Sequence, residues 1–357
     1  MKKNNKIILL LLIGLTIITV MLVVFNNSKS TLNKAETEFA INDTSNVTKI
    51  FIADKKGNQV KLVKQDNGKW NLNDKYEATI ELVNLLLYTA KNISVSSVLP
   101  KTAHNNIIKR MSVASTKVEF YQKVYFIDFW GIKFFPYEKN TKTYYIGDAT
   151  MDNMGNFMLM EGAKNVYIVS LPAFRGYVSS RYSCLEIDWR DHTVFSVKLN
   201  QIKELKNEIV GKPEESYKLV NVGLRRFDLY RLSDNKKFDY YDTVKIIDQL
   251  MLFRRLKYDA IVKDMVQQTK DSIIQFNHFQ TITLTETSNK ITYVKMYLKP
   301  EIIIEDPNNE ESIQMVQSKE KFYIVINDSK EMQVAQFYVF EKILQPLSYF
   351  VDNYIKK

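Results

Sequence analysis

TKIFIADKKGNQVKLVKQDNGKWNLNDKYEATIELVNLLLYTAK, residues Thr48 to Lys91, changes its period part-way along, and that change decides the fold class. Thr48 to Ala53 alternates and is rich in β-branched and aromatic residues, and Gln59 to Val63 repeats the pattern after a Lys-Gly-Asn turn. Asn67-Gly68 is a hairpin signal, and Lys69 to Leu72 makes the third short strand. From Tyr76 to Lys91 the spacing becomes helical. Ile80, Val83, Leu87 and Ala90 recur on one face, widened by Leu82, Leu85 and Leu86, so a helix packs on the sheet.

The same order returns later. Ile202 to Ile209, Ser216 to Val220 and Arg226 to Tyr230 read as counterparts of the three strands, and Tyr240 to Leu256 as the helix, with Val244, Ile247, Met251 and Leu256 on its apolar face. KVEFY at 117–121 matches TITLTE at 281–286, and NVYIVSL at 165–171 matches KFYIVIN at 321–327. Tyr76 to Tyr240 and Lys117 to Thr281 are both offset by 164, and Tyr167 to Tyr323 by 156. Near-constant offsets predict a duplicated domain. The expected fold is therefore α+β: two tandem repeats, 46–184 and 196–357, each a mostly antiparallel sheet with helices on one face. Residues 185–195 would link them, with Trp189 buried between the domains and Arg190 or Asp191 bonding backbone or an opposite charge.

Working outward to the amino terminus, Lys2, Lys3 and Lys6 precede Ile7 to Phe25, nineteen residues without a charge. As a helix that run spans roughly 28 Å at about 1.5 Å per residue, enough to cross a bilayer. No small-residue cleavage site or lipid-accepting cysteine follows it, so residues 1–26 read as a cytoplasmic stub and uncleaved anchor. The polar stretch 27–45 reads as a tether. Positive charge before the span keeps the amino terminus in the cytoplasm and places the bulk of the chain outside the cytoplasmic membrane.

That topology reinterprets the composition. The net charge of +10 includes three lysines of the orientation signal, and the remainder lies on an exported surface, where nucleic acid is no partner. The lone Cys184 has no disulfide partner, and His104, His192 and His278 are far apart, without the spacing of a metal site.

VTKIFIADKKGNQVKLVKQDNGKWNLNDKY, KTYYIGDATMDNMGNFMLMEG, SLPAFRGYVSSRY and WRDHTVF together resemble a bacterial family of membrane-anchored envelope proteins built on a domain of unknown function. The resemblance covers most of residues 46–195 and extends weakly into the second half. It implies a tandem domain and, from some relatives, a link to auxiliary proteins of gliding-motility-type ABC transporters. It transfers no active-site residue.

The residues themselves offer little chemistry. Gly-x-Ser-x-Gly, His-Glu-x-x-His, Gly-x-x-x-x-Gly-Lys and Gly-x-Gly-x-x-Gly are all absent, so no catalytic residue, cofactor or metal ligand is assigned. Met151, Met154, Met158 and Met160 raise copper(I), but a turn separates the pairs and core packing explains Met158 and Met160. Asp148, Asp152 and Glu161 flank Gly147 and Gly155 and are the residues from which a glycosidase pair could be assembled. Near the carboxy terminus, Phe337, Phe340, Leu344, Leu347, Val351 and Tyr354 form a helical stripe interrupted by Pro346, suited either to the repeat's own sheet or to a partner helix. The function expected is a non-catalytic interaction or scaffold module of the envelope, with a protein partner such as a transporter or motility assembly. The alternatives are a hydrolase of cell-wall glycans and a ligand-binding accessory domain using a groove between the repeats.

Overall fold

The computed structural model describes residues 12–19, 34–129, 132–223, 226–304 and 313–355. Two short helices, α1 (12–19) and α2 (Lys34–Thr37), come first. The expected span at 7–25 lies largely outside the described residues, and among those described no helix is long and apolar enough to cross a membrane. Contacts then divide the chain into two units, Met1–Asp191 and His192–Lys357.

In the first unit the elements run β1 (Val47–Ala53), β2 (Gln59–Lys64), β3 (Trp70–Leu72), β4 (Tyr76–Glu77), α3 (Ile80–Asn92), β5 (Ser94–Val98), α4 (Lys101–Ala114), β6 (Thr116–Phe129), β7 (Ile132–Ala149), β8 (Asn156–Met160), β9 (Tyr167–Ser170) and the one-turn α5 (Glu186–Trp189). They make a nine-stranded sheet in the order β4-β3-β2-β1-β6-β7-β8-β9-β5, antiparallel at every pairing. The alternation read at Thr48 to Leu72 is realised directly. Ile50, Ile52, Val60, Leu62, Trp70 and Leu72 point into one core, with Lys49, Phe51, Lys61, Val63 and Asn71 on the other parity and only partly buried.

The second unit runs β10 (Thr193–Phe195), β11 (Ile202–Ile209), β12 (Tyr217–Gly223), β13 (Arg226–Arg231), β14 (Lys237–Phe238), α6 (Thr243–Met251), β15 (Leu256–Lys257), β16 (Ala260–Ile261), α7 (Gln267–Phe276), β17 (His278–Glu286), β18 (Ile291–Ile304), β19 (Ile313–Ile326), β20 (Gln333–Gln336), α8 (Phe337–Phe340) and α9 (Ser348–Ile355). Its nine-stranded sheet has the order β14-β13-β12-β11-β17-β18-β19-β20-β16, and β10 pairs with β15 separately. Position by position this is the order of the first sheet. The central strands even bulge at the same place, between Val47 and Lys49 in β1 and between Ile202 and Glu204 in β11.

Three expectations need correction. Helices cover both faces of each sheet, not one. In β7 and β8, Tyr144, Ile146, Met158 and Met160 face the main core, while Tyr145, Phe157 and Leu159 pack with Ile107 and Met111 of α4 on the other side. Strands apolar at both parities are buried on both faces. Likewise Phe322 and Ile324 of β19 face the main core of the second unit, and Tyr323 and Val325 meet Ile273 of α7. Next, α3 buries Val83, Leu86, Thr89 and Ala90, leaving Ile80, Leu82 and Leu85 exposed. In the same way α6 buries Ile246, Gln249 and Leu250, with Val244 and Met251 outside. Both helices carry apolar residues around much of their circumference, so periodicity leaves their rotation undetermined. Finally, NVYIVSL supplies β9 whereas KFYIVIN lies in β19, whose place corresponds to β8. Neighbouring strands with the same alternation look alike in sequence.

Candidate functional site

Trp189, Arg190 and Asp191 belong to the first unit. Leu185 caps a helical turn rather than continuing an extended segment, and Trp189 is buried in that unit's main core. Its indole donates to the Ser183 carbonyl at 2.9 Å. The Thr79 amide and hydroxyl donate to the carbonyls of Trp189 and Arg190 at 2.8 and 2.7 Å, and the Asp191 amide donates to the Glu77 carbonyl at 2.9 Å. The Arg190 guanidinium lies 3.7 Å from the Tyr76 ring centre. These contacts bind the segment to the β4–α3 junction, the start of the helix whose N-terminal amides need partners.

The carboxy-terminal stripe turns inward. Phe340, Leu347 and Val351 are buried in the second unit's core, and Phe337 and Leu344 pack against it. The side chain of Tyr354 lies outside the described residues. Pro346 separates α8 and a following 3₁₀ turn from α9, and the carbonyls released by that break meet buried amides. Gln249 Nε2 donates to the Ile343 carbonyl at 3.2 Å, Gln280 Nε2 to the Leu344 carbonyl at 3.3 Å, and Asn207 Nδ2 to the Gln345 carbonyl at 3.1 Å. Gln249 also donates to the Tyr217 hydroxyl at 2.7 Å, and burial pushes that phenol up to about 12.

The carboxylates do not converge on one another through any contact described. Asp148 pairs with Arg110, and Asp152 accepts from the Thr150 hydroxyl at 2.5 Å and the Met154 amide at 3.0 Å, closing a turn. Those bonds, the Thr150 hydroxyl first, hold the Asp152 carboxyl below its ordinary value. Glu161 bonds the Tyr145 hydroxyl. Met158 and Met160 are buried, while Met151 and Met154 are exposed in the turn. Among the described residues no cluster of three His, Cys, Asp or Glu could hold a metal ion. His192 stacks on Tyr258, and His278 shares a 2.9 Å hydrogen bond with Thr281. Cys184 is buried, and desolvation pushes its thiol up, away from a reactive thiolate.

Two features were not singled out from the sequence. One is the sheet edge β5, which pairs only with β9 among the described residues and whose Ser94, Ser96, Ser97 and Val98 are exposed beside a cleft of about 700 Å³ lined by Leu99, Met154, Phe157, Ile168 and Phe174. The other is an arm. Beyond Lys123 and Lys139, β6 and β7 pair with each other and with no third strand among the described residues, in a register that sets Tyr125 opposite Pro136 and Ile127 opposite Phe134. Phe126 is 80% exposed and Phe135 70%, and Ile127, Ile132, Phe134 and Tyr137 are exposed as well. Phe135 has φ +55°, a conformation that large side chains rarely adopt. The signal for this arm is present in sequence as KVYFIDFWGIKFFPYEK at 123–139, in which large apolar residues occupy both parities of each strand between scattered charges.

An α+β protein with one large antiparallel sheet in each of two units, exposed apolar surface and no assembled catalytic cluster among its described residues is the class these observations define. The family described as "Domain of unknown function (DUF4340)" matches residues 76–276, more than half of the chain, and the protein belongs to it. The match starts in β4 and runs through the unit boundary to the end of α7. No curated protein and no solved structure matches.

Proposed function

We propose that the protein is a non-catalytic interaction module of the bacterial envelope, made of two copies of one α+β domain and anchored in the cytoplasmic membrane by residues 7–25. The observation that carries this reading is the contrast in how its side chains are used. The carboxylates that could have served chemistry are engaged by Arg110, Thr150 and Tyr145, whereas the arm at 123–139 leaves large apolar side chains exposed. The duplication is supported by the shared strand order and by helices inserted at the same points, α3 with α6 and α4 with α7.

The anchor is supported by α1. The hydroxyl of Thr16 donates to the carbonyls of Leu12 and Ile13 at 3.1 and 2.8 Å, and that of Thr19 to Leu15 and Thr16 at 2.8 and 3.0 Å. Both polar groups are thereby satisfied within the helix, as a hydrocarbon environment requires. The β5 edge offers unpaired backbone groups to an extended segment of a protein partner, whereas β4, β14 and β16 are two-residue edges. Such a partner, by the family resemblance, is a component of a transporter or motility assembly.

The test is carbonate extraction of membranes followed by affinity purification from detergent. The chain is expected to resist extraction and to bring down other envelope proteins in fixed stoichiometry. Release by carbonate would overturn the anchor, and a catalytic turnover of wall glycans by the purified chain would overturn the non-catalytic reading.

A further inference from the structure

The geometry points to the β6–β7 arm as a lipid-inserting element, a second contact with the bilayer whose aromatic end enters the headgroup and acyl boundary. This rests on the anchor proposed above. A hairpin of two strands has little stability of its own in water, and this one extends roughly 20 Å past the sheet at about 3.3 Å per residue. Its exposed side chains lie on both faces: Phe126 and Ile127 are consecutive in β6 and point oppositely, while across from them the left-handed backbone of Phe135 breaks the alternation and sets its ring 6.4 Å from that of Phe134. A protein groove covers one face of a ribbon. An apolar medium surrounds both.

Lys123 and Lys139 stand at the base of the arm, where they would lie among lipid phosphates; Asp128 and Lys133 are register partners nearer the tip, and Lys133 Nζ lies 5.3 Å from the centre of the Tyr125 ring. Tyr125, Tyr137 and, in sequence, Trp130 are the amphipathic aromatics that favour a membrane interface.

The route of the chain places the arm within reach. The segment leading into β1 runs along the arm's base. Lys142 donates to the Glu38 carbonyl and, at 2.9 Å, to that of Ala40; Gln122 Nε2 donates to the Asp43 carbonyl at 2.6 Å; the Lys123 amide donates to the Asn46 carbonyl at 2.8 Å. From Asn26 to Glu38 the tether can span at most about 45 Å at about 3.4 Å per residue. The arm thus begins next to the residues where a membrane tether must arrive.

The experiment uses the full chain with Cys184→Ser, reconstituted in phosphatidylethanolamine–phosphatidylglycerol vesicles with and without nitroxide-labelled acyl chains. Single cysteines carrying an environment-sensitive fluorophore are placed by Phe126→Cys on the arm, Asn26→Cys at the anchor and Lys56→Cys in the β1–β2 turn. Emission from position 126 is expected to shift to the blue and to be quenched by the nitroxide lipid as strongly as that from position 26, with position 56 unaffected. Adding Phe134→Asp and Phe135→Asp, both at exposed positions, is expected to abolish quenching at 126 and to leave it intact at 26. Quenching at 26 without quenching at 126 overturns the inference and leaves the anchor standing. A label at 126 that is shielded from water yet unquenched means a protein contact and also overturns it. Loss of quenching at both positions removes the anchor and the inference together.

Discussion

The two units share a strand order but differ at the ends of their sheets and in how their last segments are held. In the first, the long ladder is β6–β7 and leads to the aromatic arm; in the second, the equivalent pair, β17–β18, closes at once between Glu286 and Ile291. The long ladder of the second unit is instead β18–β19, and its sequence from Lys299 to Glu320 is acidic where the arm is aromatic. Consecutive hairpins of an antiparallel sheet open toward opposite ends. The same sheet can therefore carry an extension at either end without disturbing its core.

The closing segments differ in chemistry as well. In the first unit Asn156 Oδ1 accepts from the amides of Val178 and Ser179 at 2.7 and 3.2 Å, and Tyr144 and Tyr182 share a buried 3.1 Å hydrogen bond. The second unit uses Asn207, Gln249 and Gln280 to receive the broken carboxy-terminal helix. Asn207 occupies the place of Ile52, five residues past the bulge partner in each central strand. An apolar residue at that place suffices where no helix break needs a donor.

Truncation should separate the two units most sharply. A chain ending at Lys330 loses β20, α8 and α9, and with them Ala335, Phe340, Ile343, Leu347, Phe350 and Val351 of the core. The second unit should unfold entirely. The first should persist, because its main core is complete without those residues. All three tryptophans precede residue 192, so intrinsic fluorescence follows the first unit alone, while amide exchange in β17–β19 reports the second. A shift to red tryptophan emission would show that the two cores do not stand separately.

Next in size are the buried asparagines. Asn156→Leu leaves two backbone amides without an acceptor, a loss of about 2–4 kcal/mol. Asn207→Leu strands the Gln345 carbonyl and removes the 2.7 Å bond that Asn207 Oδ1 accepts from Gln280 Nε2, which keeps its bond to the Leu344 carbonyl, and about 2–3 kcal/mol is expected. Denaturant unfolding followed by tryptophan fluorescence for the first variant, and by amide exchange for the second, should place each loss in its own unit. An equal loss in both units for either variant would contradict the separation.

How much of this could be read beforehand follows from which interactions are local. The strands from Thr48 to Leu72 were legible because alternation and turn residues are properties of neighbours. The rotation of α3 was not, since Ile80, Leu82, Leu85 and Val83 offer several apolar faces and the sheet selects one. Trp189 is recognisable as a buried residue, yet its partner Ser183 and the α3 terminus it closes are fixed by folding. The arm is written plainly as KVYFIDFWGIKFFPYEK, but large apolar residues at both parities read as core until the ladder is seen to have no third strand among the described residues.

A smaller effect appears at high pH. Tyr217 and Tyr182 have phenols raised by burial from 10 to about 12, and Tyr144 is raised well above 10. A group that holds its proton more tightly when folded contributes stability that is complete below pH 10 and lost as pH rises toward 12. For each of the first two phenols, a rise from 10 to about 12 corresponds to about 3 kcal/mol lost by the alkaline end of that range. Tyr217→Phe should cost about 1 kcal/mol at pH 7 and make the second unit less sensitive between pH 10 and 12. The first unit, with two coupled phenols, should keep its alkaline transition in that variant. Amide exchange at pH 7 and circular dichroism across the alkaline range test both halves of the expectation.

The smallest effect concerns the arm's base. Lys142 is half-buried, and desolvation holds its ammonium below the ordinary lysine range. The same burial strengthens its bonds to the Glu38 and Ala40 carbonyls, so the two consequences oppose each other in the free energy of folding. Lys142→Met keeps the apolar stem and removes both the bonds and the buried charge, and about 1 kcal/mol or less should be lost. The segment itself stays docked through Phe39 and Ile41, which are buried in the main core, and through the Ile41 amide, which donates to the Ala90 carbonyl at 2.8 Å. Faster exchange is therefore expected at residues 42–46 and at Lys123, where the incoming chain meets the arm, with the Ile41 amide still protected. Loss of protection at Ile41 would mean that the lysine, rather than the two apolar side chains, fixes the approach of the tether.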